Sequence, residues 1–524
     1  VTVSVPLGSL LLDASRRASV GVDAPCGGIG RCGRCRIVVA GSVSPLTDDE
    51  RVLLTEEDIA AGIRLACRAR ATGSVSVQVA PEPGGMRIVE DAAVPRPEVE
   101  PPAVRGIFAA AEEPLLGIAI DIGTTTLALA LVDLRNGDEI AHASGMNAQH
   151  TFGADVMSRV SAAIAGQAVA LHEAVVSEIE RLSLSLVRRV GASPAHVREF
   201  VVVGNTTMRA LLLAEDVSPL AAAPYEGASI APVTTDSVTL GMSSFDARVT
   251  VAPGVSAFIG GDVVAGMLVT RVAGRSEPTL YMDLGTNGEI VLVSDGRVIA
   301  ASAAAGPALE GASIEMGMRA QPGAIEHVHL KGETLVAETI EHAPPRGICG
   351  SGLLDLVAAL LDADVIDEGG RLAEKTRGGL ASSVEDRGDQ HVFIVDEKHG
   401  IVLTQHDVRE LQLAKGAIRT ALDMVLERAG LSAGDLLDVV IAGGFGLHVR
   451  GSAIARIGMV PPEWESCLRY VGNAALAGAV ALLVGTQARQ DAETIARGVE
   501  TIDLAADPDF QRRFIASLSF PQAQ

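Results

Sequence analysis

Two stretches of this chain spell the same layout, 162 residues apart. "LLGIAIDIGTTTLALALVDLRNGDEIAHAS", from Leu115, reads as an apolar strand, a tight turn, a second strand, an Asn136-Gly137 hairpin turn and a third strand. "TLYMDLGTNGEIVLVSDGRVIAASA" repeats it with an Asp295-Gly296 turn. Asp121, Gly123 and Thr124 of the first copy correspond to Asp283, Gly285 and Thr286 of the second. A repeat of this kind is an internal duplication of a supersecondary unit, and it constrains the fold more than any other feature.

Each turn suits phosphate. An apolar strand carries Asp121 to its C-terminal end, Gly123 lets the chain reverse close to a ligand, and Thr124, Thr125 and Thr126 offer hydroxyls and N–H groups. Asp121 would hold Mg²⁺ through water. Asp283, Gly285, Thr286 and Asn287 would do the same from the opposite side. One such turn is weak, because any buried hairpin looks like it; two at a matched offset point to a facing pair of phosphate clamps, with a merely duplicated core as the alternative.

A third segment agrees. "DVVIAGGFGLHV" is an apolar strand ending in Gly443, Gly444, Phe445 and Gly446, where a planar base can lie against backbone. "VGNAALAGAVALL", from Val471, predicts a glycine-punctuated helix behind the cleft. Together these resemble the phosphate 1, phosphate 2 and adenosine motifs of the acetate and sugar kinase, heat-shock chaperone and actin superfamily, from about Leu115 to about Val484. The resemblance implies two RNase H-like halves closing on ATP.

Helices are also expected from about Ala154 to Val190, and after the glycines of "FIGGDVVAGML" and "GICGSGLLDLVAALL", with Ser351 capping the latter. Glu310, in "AAGPALEGASIEMGMRA", is a candidate to orient attacking water. Glu310 and Asp262 fit a capping or packing role equally well. His448 reads as an exposed histidine, and Cys349 and Cys467 as buried small residues.

The other end of the chain concentrates sulfur. "PCGGIGRCGRC" places Cys26, Cys32 and Cys35 in a C-x5-C-x2-C spacing, and Cys67 follows after 31 residues. Such a loop can wrap one iron while a distant strand supplies the last thiolate. Gly27, Gly28, Gly30 and Gly33 suit a chain curling around sulfide. A disulfide framework is disfavoured in a long chain without a secretion signal. A zinc site usually pairs two C-x2-C knuckles, and one is present. The segment resembles [2Fe–2S] ferredoxins of the adrenodoxin and putidaredoxin branch, over residues 1–80 with their short alternating runs. Arg31, Arg34 and Arg36 read as solvated side chains, or as a steering patch for an acidic redox partner.

Seven of the 24 prolines fall between Pro81 and Pro114, so this stretch continues neither a sheet nor a long helix and reads as a semi-rigid linker. A chain of 524 residues needs more than one core. The expected domains are a β-grasp ferredoxin-like α+β unit at 1–82, the linker at 83–114, a first RNase H-like subdomain at 115–213 and a C-terminal α/β ATPase subdomain at 214–524. A net charge of −23 without a basic stripe argues against nucleic acid. The longest apolar run, near Ala474, is too short for the roughly 20 residues of a membrane span, so a cytoplasmic protein is expected.

"IAIDIGTTT", "VVVGNTTMRALLL", "GPALEGASIEMGMRA" and "GICGSGLLDL" resemble segments of the reductive activators of corrinoid proteins. That resemblance implies ATP-dependent transfer of one electron from a [2Fe–2S] cluster to a Co(II) corrinoid protein of a methyltransferase system. It also implies an upstream electron donor and a homodimer. In this reading Cys26, Cys32, Cys35 and Cys67 hold the cluster. Asp121 and Asp283 organise Mg²⁺ and water, Thr124, Thr125, Thr286 and Asn287 hold phosphates, and Gly443, Gly444 and Gly446 receive adenosine. The alternatives are a redox or nucleotide sensor, a small-molecule kinase fused to a ferredoxin, and an activator like those of 2-hydroxyacyl-CoA dehydratases.

Overall fold

The alternating runs at the N-terminal end pair as a three-stranded sheet. In the computed structural model, β1 (Arg36–Val43), β2 (Ile63–Leu65) and β3 (Ala71–Gln78) lie in the order β2-β1-β3, with β1 antiparallel to both neighbours. The structure describes all residues except 19, 21, 23–27, 29, 31–32, 34, 80–92, 111–112, 224, 226–228, 312, 375–378, 388–389, 444–447 and 523–524. Helix α1 (Leu11–Arg17) lays Leu11 and Leu12 into one small core with Ile37, Leu65, Cys35 and Cys67. Two short helices, α2 (Asp48–Leu53) and α3 (Glu56–Ala60), each open on a threonine capping box. Glu50 of α2 is fully buried and takes Arg64 Nε and Nη2 at 2.8 Å each and the Leu65 N–H at 3.1 Å. Burial pushes its pKa up, but the bonds from Arg64 and the backbone outweigh that and hold it below the usual carboxylate value.

Both duplicated units build the same half-sheet. β4 (Leu116–Ile122), β5 (Thr126–Asp133) and β6 (Glu139–Met146) are antiparallel, and β7 (Val197–Gly204) joins parallel to β4. β8 (Val233–Asp236) and β9 (Arg248–Val251) complete the order β6-β5-β4-β7-β9-β8. In the second unit β10 (Thr279–Leu284), β11 (Gly288–Ser294) and β12 (Arg297–Ala303) repeat the hairpins. Two small sheets follow: β13 (Ala324–Lys331), β14 (Thr334–Thr339) and β15 (Gly347–Ile348), then β16 (Val384–Arg387), β17 (Gln390–Asp396) and β18 (Ile401–Thr404). β19 (Asp438–Ala442), β20 (Leu468–Gly472) and β21 (Val499–Thr501) return to the second large sheet, ordered β20-β19-β10-β11-β12-β21. Each Asp-bearing strand therefore has its hairpin partner on one side and a parallel strand on the other. The parallel strands "FVVVG" and "DVVIA" are apolar on both faces because both faces are covered.

Helices α4 (Val156–Ala162), α5 (Ala168–Arg189) and α6 (Thr206–Leu212) cover the outer face of the first sheet, against Ile118, Ile120 and Ile122. Residues 156–189 have the length and apolar composition of a membrane span, contrary to the sequence expectation. The stretch is broken at Gly166 (φ 93°), and Leu171, Val175, Ile179 and Leu186 pack onto the sheet. Helix α7 (Gly261–Thr270) shares a core with both sheets. Helices α8 (Gly350–Asp362), α9 (Gln405–Ala429) and α10 (Gly451–Arg456) pack on the second sheet's outer core. Helix α11 (Ala474–Val484), predicted from its glycine-punctuated pattern, lies with α7 between the sheets, followed by α12 (Thr486–Gly498) and α13 (Phe510–Ala516). The α7–α11 crossing needs small residues: a Cβ on Gly478 would stand 2.4 Å from the Ala265 carbonyl oxygen.

One expected boundary changes, and the linker proves to be docked. β8 and β9 belong to the first sheet, so that half runs past residue 213, because the sheet needs strands beyond β7 to cover its edge. The linker is not a free spacer in its second half. Ala93 N–H bonds Val471 O at 2.9 Å, Glu100 N–H bonds Val484 O at 3.0 Å, and Ile107 is buried. Proline kept this segment out of the large sheets without keeping it off the ATPase body.

Candidate functional site

The two predicted turns face one another across Glu310. This carboxylate accepts the Thr286 hydroxyl at 2.5 Å through Oε1 and the Thr125 hydroxyl through Oε2. One side chain, supplied by the short helical turn Pro307–Glu310, therefore ties both turns together. Glu310, which the sequence weighs equally between packing and the site, has one carboxylate oxygen on each turn. The structure also revises the correspondence between copies. Sequence offset pairs Thr124 with Thr286, whereas Glu310 pairs Thr125 with Thr286. Thr124 is engaged elsewhere, accepting a bond from Asn205 Nδ2 at 3.1 Å. Thr126 opens β5, and its carbonyl closes the first turn.

Below the turns lies a set of buried carboxylates. Burial raises Asp121 to about 8, with the charges of Asp262 and Asp283 adding to the effect and a bond from Asn473 Nδ2 (3.1 Å) opposing it. Burial and the charge of Asp283 raise Asp262 to about 7. Burial raises Asp283 to about 6 against a 3.2 Å bond from the Tyr281 hydroxyl. Glu289, directly opposite Asp283 on β11, is also pushed well above its ordinary value by burial and the neighbouring carboxylates. Among the described residues, no positive side chain contributes to holding Asp121, Asp262 or Asp283 ionised. Such a set calls for a cation to carry its charge. Among the described residues, no group of three His, Cys, Asp or Glu side chains converges tightly enough to hold an ion by itself. A cation here fits only with water or ligand oxygens completing its shell, as the water-mediated role expected of Asp121 requires.

Gly443, expected on the nucleoside side, has a φ of 99° and an N–H bond to Gly472 O (3.0 Å) that set it against the second turn. A Cβ there would meet Leu284 O at 2.6 Å and Asp283 Oδ1 at 2.8 Å, so only glycine fits. Gly444 and Gly446 lie outside the described residues. Gly123 N–H closes on Thr126 O at 2.8 Å, and Gly285 N–H on Asn287 O at 2.9 Å. Asn147 Nδ2 supports the first turn from behind by donating to Gly123 O at 2.9 Å.

In the N-terminal domain Cys35 and Cys67, both buried, bring their sulfurs to 3.2 Å. Cys26 and Cys32 lie outside the described residues. Gly28, Gly30 and Gly33 take φ of 89°, 77° and 64°, the curled backbone expected around a cluster. Arg68 lies along this loop, donating to Gly28 O at 3.3 Å and Cys67 O at 3.2 Å and pairing with Asp49 at 2.6 Å. A Cβ on Gly30 would stand 2.1 Å from its guanidinium. Converging thiols in a glycine loop fit an iron–sulfur cluster.

Several residues escaped the sequence reading. Asn473, Asn205, Glu289 and Tyr281 gained no role there, and Asp262 was left undecided. Two had a signal: Asn before the apolar run of α11 is a helix-capping pattern, and Glu289 interrupts an otherwise apolar strand. Other expectations are corrected. Ser351 does not cap α8, whose N-cap is Cys349, with no side-chain capping bond. His448 is not exposed but pairs with Glu326 at 2.8 Å. Arg36, its side chain about half exposed, bonds Gly33 O at 3.1 Å and pairs with Asp58 at 3.1 Å, contacts that leave its expected solvated character in place. Cys349 is buried, and Cys467 only partly so.

A duplicated, ATPase-type cleft joined on one chain to a ferredoxin-like domain defines the class. Three family profiles cover it: the 2Fe-2S iron-sulfur cluster binding domain over residues 1–72, the RACo middle region over 116–275, and the C-terminal ASKHA domain of RACo over 277–524. The corrinoid activation enzyme RamQ of Eubacterium limosum is 32% identical over 432 residues, 78% of this chain and 71% of that protein. The [Co(II) methylated amine-specific corrinoid protein] reductase of Methanosarcina barkeri is 26% identical over 444 residues, covering 78% and 77%. A solved "Reductive activator for corrinoid,iron-sulfur protein" superposes with a TM-score of 0.73 at 27% identity, covering 100% of this chain and 97% of that one. This chain belongs to the family of reductive activators of corrinoid proteins.

Proposed function

We propose that this protein returns a corrinoid protein from Co(II) to Co(I), delivering one electron from its N-terminal iron–sulfur domain at the expense of ATP. The observation that carries this reading is the pairing, on one chain, of a buried converging thiol pair with two phosphate turns bridged by Glu310. When bound, a [2Fe–2S] cluster supplies a one-electron carrier and Mg-ATP supplies the driving force.

Cys26, Cys32, Cys35 and Cys67 hold the cluster, and Arg68 braces its loop. Asp121 and Asp283, with Asp262, offer the negative charge that Mg²⁺ and its waters balance. Thr124, Thr125, Thr126, Thr286 and Asn287 present hydroxyls and amides to phosphate oxygens, Gly123 and Gly285 letting both turns come close. Glu310 sits between the turns, oriented by two hydroxyls, where it can align a water for attack. Gly443, Gly444 and Gly446 leave room for the adenosine. An uphill electron explains the need for ATP: each about 59 mV of shortfall is a tenfold penalty, which differential binding of nucleotide to two conformations can offset. We further propose a cytoplasmic homodimer fed by an upstream electron donor and serving a methyltransferase system, with neither nucleic acid nor membrane as a partner.

The test uses cluster-reconstituted protein, a Co(II) corrinoid protein and an anaerobic one-electron reductant, followed by visible spectroscopy. Co(I) should form with Mg-ATP and not without it. Absence of Co(I) with several corrinoid proteins, despite a reducible cluster and bound nucleotide, would overturn the reading in favour of a sensor or kinase.

A further inference from the structure

Helix α11 touches the nucleotide cleft at one end and the linker at both. Its N-cap, Asn473, accepts the Leu476 N–H at 2.8 Å and donates to Asp121 Oδ2 at 3.1 Å. One residue earlier, Gly472 O takes the Gly443 N–H at 3.0 Å; one before that, Val471 O takes the Ala93 N–H at 2.9 Å. The first contact of the described linker thus falls two residues from the side chain that reaches Asp121.

The other end of α11 is gripped more firmly. Its last carbonyls have no partners within the helix; the linker supplies partners for two of them, and Arg489 Nε of α12 donates to Leu482 O at 2.7 Å. Val484 O accepts the Glu100 N–H at 3.0 Å, and Leu483 O accepts Arg105 Nη1. Arg105, 8% exposed, also donates through Nη2 to Leu134 O at 3.1 Å and Glu100 O at 3.4 Å. Glu100 Oε1 takes the Gln487 N–H at 3.0 Å in the first turn of α12. A cation at a helix C-terminus is also favoured by the helix dipole. Between its ends α11 is "AALAGAVALLV", passing α7 closely at Gly478, with Leu476, Leu482 and Leu483 buried in the core between the sheets. The hydrogen bonds at its two ends act with that packing to set the position of the helix along its axis.

We propose that Arg105 and Glu100 are positioning residues of the nucleotide site: by holding the C-terminal end of α11 they set where Asn473 stands against Asp121, so that docking of the linker and occupancy of the cleft are coupled. The proposal rests on the reading of the cleft as a nucleotide site. Coupling is reciprocal: whatever factor the docked linker adds to nucleotide affinity, nucleotide adds to linker docking. The tether that carries the ferredoxin domain would then be held most firmly when nucleotide is bound.

The experiment uses the full chain, the non-hydrolysable nucleotide Mg-AMPPNP, calorimetry and amide hydrogen exchange. Arg105→Met should weaken Mg-AMPPNP binding by at least about fivefold and speed exchange over residues 93–105 and 471–487. Mg-AMPPNP should slow exchange over 93–105 in the unsubstituted protein. Arg105→Lys should recover part of the affinity, and Arg513→Ala, which removes the surface pair with Glu427, should change neither. If Arg105→Met does not fold, Glu100→Ala carries the same test with a smaller shift. A variant whose linker exchanges faster while its nucleotide affinity is unchanged would overturn the coupling. Failure of the unsubstituted chain to bind Mg-AMPPNP would instead overturn the nucleotide reading beneath it.

Discussion

In the first Asp-x-Gly-Thr turn Gly123 N–H closes on Thr126 O, three residues on; in the second, Gly285 N–H closes on Asn287 O, two residues on. The strand register agrees. Four residues separate the paired Ile122 and Leu127, and three separate Leu284 and Gly288. The extra residue moves the hydroxyl that meets Glu310 from the position after Gly123 to the one beyond it, from Thr124 to Thr125. The aspartates differ as well. Asp121 is met by Asn473 from α11, 352 residues away, whereas Asp283 is met by Tyr281 of its own strand. Burial and like charges raise Asp121 to about 8, and burial raises Asp283 to about 6. Duplication preserved the backbone path, while the surroundings gave each copy its own chemistry: the second aspartate is bonded within its own strand, the first by a distant segment.

The largest test of that contrast is to neutralise each aspartate. Asp121→Asn and Asp283→Asn should each lower ATP turnover by about a hundredfold or more, with the cluster's visible spectrum unchanged. Normal turnover in either variant would show that only one turn serves the nucleotide. Glu310→Gln should cost about a hundredfold in turnover, measured beside nucleotide affinity, which should change far less. Thr125→Val and Thr286→Val should then cause similar losses, about tenfold each, and Thr124→Val a smaller one. A larger loss from Thr124→Val would restore the correspondence read from sequence offset.

The smallest effect is on stability. Each aspartate's pKa is higher in the folded state than the ordinary value of 3.8. The folded chain therefore retains protons that the unfolded chain has released, and metal-free stability falls as pH rises through that window. The window extends from about 4 to about 6 for Asp283 and to about 8 for Asp121. In chelator, Asp121→Asn should therefore reduce the loss of stability between pH 5 and pH 8 more than Asp283→Asn does, read as urea midpoints. Equal effects would mean that the two sites feel the same burial.

Much of the site was legible in the chain. The turns, Gly443, the left-handed Gly28, Gly30 and Gly33, and helix α11 all lie where local pattern predicts them. Glu310 was within view but undecided, because its two threonine partners lie 24 and 185 residues away. Asp262 looked like a helix-start carboxylate, which it also is: its Oδ1 takes the Val263 N–H at 2.8 Å. Its coupling to Asp121 and Asp283 depends on three segments meeting. The linker misled for the opposite reason. Proline content does report that a segment cannot join a large sheet, but it says nothing about whether the segment can lie in a groove and cap a helix.

By itself the sequence determined what depends on a few neighbouring residues: strand periodicity, tight turns at Asp-x-Gly-Thr and the left-handed conformations of Gly28, Gly30 and Gly33. These follow from steric limits on φ and ψ and from hydrogen bonds between close neighbours. Tertiary structure alone decided which carboxylates share one buried volume, which threonine meets Glu310, and that Arg105 grips α11. Burial and charge coupling act through space, so their strength depends on which distant segments the fold brings together.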